Sequence, residues 1–310
     1  MTVALGCIYG LAMLFFTIAF LVNWTKSRNE IKKYLKYGTW FGFTVIGLDL
    51  FTVAITPSAW SPSLLVALIA EPIVLLRIIG FTMLGMYYAA ELGYPSLPIL
   101  LKKFKIPAVE ENLNPVAEIE KTEISHENQD SDLSSNQTDN VAIKPSVIDL
   151  LISINWKEYF IKVLGVSAIS IFYSIILFLL TKPHMSELAQ QKFGTPMANL
   201  ANAINIQGIL VLFEFAIAEE IVFRLGIQNF LVKYLKLQSS NYWIAIVITS
   251  ALWTLGHAGV LEPEWVKLAQ IFPVGLLLGW LYKKFGAEST ILAHGIFNFV
   301  LAFVAVYLIK

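Results

Sequence analysis

The stretch AIAEEIVFR, residues 216–224, sets two glutamates and an arginine inside a segment that is otherwise apolar. On insertion scales a charged side chain at membrane depth costs about 2.5–3.5 kcal/mol, so such residues face a bundle interior or a water-filled space and mark a functional site by default. On an α-helix Glu220 and Arg224 stand four residues apart and share a face, which allows a salt bridge. Glu219 lies about 100° round the helix from Glu220 and is left without that partner. One carboxylate can therefore be structural while its neighbour acts as a base. The alternative is that the whole cluster only pins helices together.

The rest of the chain supplies the membrane setting. Its 310 residues are 57% hydrophobic and only 14% charged, with a mean hydropathy of +0.67. That is more apolar surface than a soluble core absorbs, and it predicts an all-α polytopic membrane helical bundle. Apolar runs near the length of one crossing fall at about 2–24, 40–57, 63–90, 159–181, 203–232, 241–258, 265–282 and 287–309, which makes about eight transmembrane helices. The first run has no basic region before it and no small-residue cleavage site after it, and is read as a retained span.

A long polar break divides the runs. The expected organisation is an N-terminal three-span module over 1–91, an acidic linker over 92–158 and a core over 159–310. Residues 109–140 hold nine of the 22 acidic residues against one base, Lys121. With so little apolar surface to offset chain entropy, the linker is expected to be disordered. Its Asn136-Gln137-Thr138 sequon is taken as a chance match.

The formal net charge of zero hides an asymmetry. Bases cluster after the first run (Lys26, Arg28, Lys32, Lys33, Lys36) and after the third (Lys102, Lys103, Lys105). They recur at the end of the fifth (Lys233, Lys236) and after the seventh (Lys283, Lys284). An excess of bases in short loops marks the cytoplasmic side, which puts the linker inside and both termini outside. The single cysteine, Cys7, can form no internal disulfide and no zinc-type cysteine pair. The expected partners are the lipid bilayer and a membrane-associated substrate, with no nucleic acid.

Two histidines fall in apolar runs, His257 in SALWTLGHAG and His294 in ILAHGIFNF, whereas His126 and His184 fall in loops. Asn298 follows His294 by four residues and shares its helical face. No HExxH is present, which excludes a zincin helix, and no GxSxG marks Ser289 or Thr290 as a nucleophile. What remains is water activated by a carboxylate, with His and Asn side chains as donors to a developing oxyanion. At ~1.5 Å per residue, Glu219 stands roughly 21 Å from Lys233 and His257 roughly 24 Å from Asn241. His294 stands about 10 Å from the start of its own run. The resulting mismatch in depth, roughly 10 Å, is left to helix tilt. Elsewhere, Asp49 and Arg77 are expected to form a helix-pinning pair, Pro72 to kink the third span, and Glu71 and Glu214 to be candidates for a proton or substrate path.

Three motifs in order, EEIVFR (219–224), the histidine of WTLGH (253–257) and HGIFN (294–298), resemble the EExxxR, FxxxH and HxxxN signatures of the CPBP family of intramembrane proteases. That family includes the CAAX prenyl endopeptidases and the bacterial Abi proteins. The segment FPVGLLLGWLYKKFG (272–286) is similar to the family's glycine-bearing helix, and the resemblance covers about residues 200–308. Trp253 stands where the family usually has Phe.

The resemblance implies a helical core around a water-filled cavity, with Glu219 as the base that activates water and His257 assisting it. His294 and Asn298 would steady the oxyanion, and Glu220 with Arg224 would hold the site together. It implies an intramembrane endopeptidase acting on a membrane-associated substrate, a prenylated C-terminal tail being the family's best-known type. Zinc on two histidines and a glutamate is the alternative within the enzyme reading. Outside it stands a non-proteolytic scaffold or immunity-type partner-binding protein. A proton-coupled transporter would show inverted repeats, and none is visible.

Overall fold

The computed structural model describes residues 2–55, 62–101, 155–187 and 206–309. Most of the acidic linker, with His126 and the Asn136 sequon, lies outside the described residues. The first half contains α1 (Thr2–Lys26), α2 (Arg28–Lys32), α3 (Leu35–Ile55), α4 (Pro62–Leu92), α5 (Pro98–Leu101) and α6 (Trp156–Thr181). A two-residue strand β1 (His184–Met185) precedes α7 (Ile206–Glu219), a π-helical segment (Glu220–Gln228) and α8 (Asn229–Tyr234). The chain closes with α9 (Trp243–Leu255), β2 (Leu261–Glu262), α10 (Glu264–Phe285) and α11 (Ala287–Leu308). β1 and β2 pair antiparallel, His184 opposite Glu262.

The chain thus forms the expected all-helical bundle, since lipid leaves backbone polar groups no partner outside the helix itself. Among the described residues five helices are long and apolar enough to cross a membrane: Thr2–Lys26, Glu71–Leu92, Trp156–Thr181, Glu264–Phe285 and Ala287–Ala305. Eight crossings do not follow from helix length, because α9 has only 13 residues where a crossing takes roughly 20.

Local chemistry sets several boundaries. The Asn155 side chain caps α6 by accepting from the Glu158 N–H at 3.2 Å, one of the donors a helix start leaves unpaired. Pro273 lies inside α10, has no N–H and releases the carbonyl four residues back. That carbonyl, Ala269 O, accepts from the Tyr173 hydroxyl of α6 at 2.9 Å. Tyr173→Phe is therefore expected to lower the unfolding free energy by about 1 kcal/mol, measured by SDS titration of the protein in mixed micelles.

Three expectations are corrected. The run 203–232 is not one α-helix: it is α from Ile206 to Glu219, π from Glu220 to Gln228, and α again from Asn229. Nothing local in EIVFRLGIQ demands the wider turn; its side chains find their partners on other helices. The second correction concerns His257, which lies past the end of α9 at Leu255. The chain turns there through Gly256 to Gly259, with Gly259 at φ 78°. Third, Asp49 does not pin Arg77. Its carboxyl makes a side-chain hydrogen bond to Glu71, while the Arg77 guanidinium sits over the Phe81 ring at 6.0 Å. The rotations of α3 and α4, which apolar composition alone does not set, decide which groups meet.

The N-terminal helices pack directly on the segment that carries the opening motif. A Cβ on Gly85 of α4 would come within 2.3 Å of the Leu225 carbonyl oxygen, so glycine is what lets α4 lie against the π turns. The Gly85 carbonyl in turn accepts from Asn229 Nδ2 at 3.3 Å. Further along α4, near its end, Glu91 pairs with Lys233 at 3.1 Å. The segment after α4 also docks on the core: the Ser96 carbonyl accepts from the Ala287 N–H at 2.8 Å, and the Ile99 N–H donates to Glu288 at 2.8 Å. Leu97 between them is fully buried.

Candidate active site

The junction of α7 and the π segment separates two neighbouring glutamates. Glu220 is fully buried, and so is Arg224; their charged atoms stand 3.6 Å apart. Arg224 also reaches the Gly275 carbonyl of α10 at 3.5 Å and lies over the Trp253 ring at 4.8 Å. One turn on, Gln228 donates to the Gly279 carbonyl at 3.2 Å and to the Tyr242 hydroxyl at 3.1 Å. The two glycines also admit α9: a Cβ on Gly275 would meet Ser250 Cβ at 2.9 Å. Small residues of this kind let membrane helices approach closely. Here they expose carbonyls to the charged ladder of the π segment.

Glu219 faces the other way and keeps a 28% exposed side chain. Its Oε2 accepts from the Trp253 indole N–H at 2.6 Å. His294 lies between the two glutamates, with Nδ1 3.0 Å from Glu220 Oε1 and Nε2 3.9 Å from Glu219 Oε2. A carboxylate only accepts, so the Glu220 contact puts a hydrogen on Nδ1 and fixes the ring plane. Trp253 packs edge-on against both histidine rings, with centroids 5.1 Å from His257 and 5.3 Å from His294.

His257 is held from the backbone. Its Nδ1 is 3.0 Å from the Trp253 carbonyl; a carbonyl accepts, so Nδ1 carries the hydrogen and Nε2 keeps its lone pair. The ring is half-buried and acts electrostatically on Glu219. Asn298, one turn beyond His294, gives one amide hydrogen to the Leu212 carbonyl of α7 at 3.3 Å.

The structure therefore brings Glu219, Glu220, Arg224, His257 and His294 around Trp253, with Asn298 alongside on α11. Between Glu219 and Lys233 the chain is not α-helical throughout but π from Glu220 to Gln228. More residues per turn advance the chain less per residue, which shortens the path from Glu219 to Lys233.

Two residues escape a reading of the sequence. Trp253 stands there only as an aromatic in place of Phe, yet its N–H makes a bond that Phe has no donor for. Lys267, on the first turns of α10, acts electrostatically on both Glu219 and His257; as a lone base near a helix start it carries no motif. A zinc site asks for three converging donors. Among the described residues no group of three His, Cys, Asp or Glu is arranged to hold a metal ion, although the Nδ1 contacts of both site histidines leave Nε2 as a potential ligand atom.

Comparison with known proteins bears on the same segment. Residues 201–300 match the family model described as "Type II CAAX prenyl endopeptidase Rce1-like". The chain is also similar to the sporulation-killing factor biosynthesis protein SkfC of Bacillus subtilis (strain 168), 32% identical over 96 residues. That match takes in 31% of this chain and 18% of the length of the curated relative. No solved structure matches the chain. The matched segment contains every motif residue from Glu219 to Asn298, so the similarity to the Rce1-like family falls where the EEIVFR, WTLGH and HGIFN motifs led one to expect it.

Proposed function

We propose that this protein is an intramembrane endopeptidase that cleaves a membrane-associated peptide with water activated by Glu219. The observation that carries the reading is the division of labour between adjacent carboxylates. Glu220 is fully buried with Arg224 and His294, whereas Glu219 is tied at Oε2 by Trp253 and keeps a 28% exposed side chain.

In this reading Glu219 Oε1 takes a proton from water while the water oxygen bonds to the scissile carbonyl carbon. In the proposed step His257 Nε2 accepts the water's second hydrogen bond and fixes its direction of attack. The oxyanion that forms meets the second N–H of the Asn298 amide; preorganised donors of this kind usually contribute most to the acceleration of acyl transfer. Collapse of the intermediate breaks the C–N bond, and Glu219 returns its proton to the leaving amine. Proton and oxygen balance without a co-reactant other than water.

The test is cleavage of a panel of membrane-anchored peptides, prenylated and not, by the purified full chain and its Glu219→Gln variant, with and without chelator. Cleavage that requires Glu219 and survives chelation supports the mechanism. Loss with chelator would move it to a metal-assisted one, and a Glu219→Gln protein as active as wild type would leave only the scaffold reading. Trp253→Phe provides a second check. It keeps the ring and removes the bond to Glu219, and should lower kcat about tenfold to a hundredfold with little change in KM.

A further inference from the structure

The site contains a cation that the mechanism does not use. Lys267 is half-buried on the first turns of α10, at the end of the bundle where α9 finishes and the His257 turn begins. Its ammonium donates to Gln270 Oε1 at 2.9 Å. Gln270, fully buried, donates from Nε2 to Ser174 Oγ at 3.1 Å, and Ser174 donates onward to the Ser170 carbonyl at 2.8 Å. A long flexible side chain is thus held by a relay that crosses to α6, which removes in advance much of the entropy lost on binding.

The ammonium has three donors, and the bond to Gln270 uses one. Among the described residues no carboxylate forms a salt bridge with it, Glu264 one turn earlier included. Glu219 acts on it electrostatically from beyond salt-bridge contact. Lysine near a helix N-terminus also works against the helix dipole, which favours an anion there. A pinned ammonium with a neutral partner at a helix start, electrostatically coupled to Glu219 and His257, has the features that suit an anion.

We infer that Lys267 is a specificity-determining residue that binds a carboxylate of the peptide substrate, either its free C-terminus or an acidic side chain beside the scissile bond. The assignment rests on the endopeptidase reading for its ligand class but is tested by binding, so the two can fail separately. The full chain carrying Glu219→Gln, reconstituted in liposomes, is titrated with membrane-anchored fluorescent peptides in two matched pairs. One pair differs only in C-terminal acid against amide, the other only in Glu against Gln beside the scissile bond.

The expected result is a Kd about tenfold lower for the charged member of one pair, the pair naming the source of the carboxylate. Lys267→Met should abolish that ratio and Lys267→Arg should retain most of it. Gln270→Leu, which frees the ammonium without removing it, should reduce the ratio but not erase it. Equal affinities in both pairs, or a preference that persists in Lys267→Met, overturns the inference. Should Lys267→Met misfold, the Arg and Gln270→Leu results and the wild-type ratios still decide it. A preserved acid preference, with the wild-type chain cleaving none of the same peptides, would instead remove the protease reading and keep the carboxylate site.

Discussion

On the proposed mechanism, replacing Glu219 by Gln is expected to lower peptide cleavage about 10²- to 10⁴-fold, the span that loss of a positioned general base produces. The variant stays folded. Glu219 is partly exposed and its one fixed contact is the bond from Trp253 Nε1 to Oε2. A glutamine amide oxygen accepts that bond equally well, so geometry survives while basicity is lost. Unfolding measured beside cleavage separates the two effects: an unchanged unfolding midpoint with lost turnover is the expected pair. A parallel fall in both would assign Glu219 to the scaffold. Residual cleavage in the variant measures what binding and the oxyanion donors contribute without the base.

Arg224→Met has the largest expected effect on stability. Arg224 and Glu220 are both fully buried, and removing the guanidinium leaves a carboxylate in the interior with His294 and Thr290 as its remaining partners. Breaking a buried pair from one side costs about 3–5 kcal/mol, because the orphaned charge keeps its desolvation penalty. Arg224 would also leave the Gly275 carbonyl and the Trp253 ring face unfilled. The double variant Glu220→Gln with Arg224→Met should recover a large part of that loss, since no buried charge is then unpaired. SDS or thermal unfolding of both variants checks this. Equal losses in single and double variants would show that packing, not charge pairing, dominates at this position.

The motif residues were legible because each motif spans only a few residues, so that its members stay close whatever the local turn. Glu220 and Arg224 meet across four residues, as the opening stretch indicates by itself. The contacts that assign roles cross much longer separations. Trp253 reaches Glu219 over 34 residues, His294 reaches Glu220 over 74, and Arg224 reaches Gly275 over 51. Each depends on the rotation and depth of two helices at once. The same reason explains why Asp49 bonds to Glu71 and not to Arg77, and why an indole that looked like a variant aromatic is a hydrogen-bond donor to the proposed base.

Apolar composition and charge placement by themselves determined a helical membrane bundle, because lipid admits few backbone solutions and makes each buried charge conspicuous. The order and spacing of the polar residues also marked out the six side chains on which the proposal rests. Tertiary structure alone decided that the helix changes to π at Glu220, that Trp253 ties down Glu219, and that Lys267 stands beside the site. Helix packing selects one rotation and one depth among many that the same apolar pattern allows, and only that selection puts particular atoms within reach of one another.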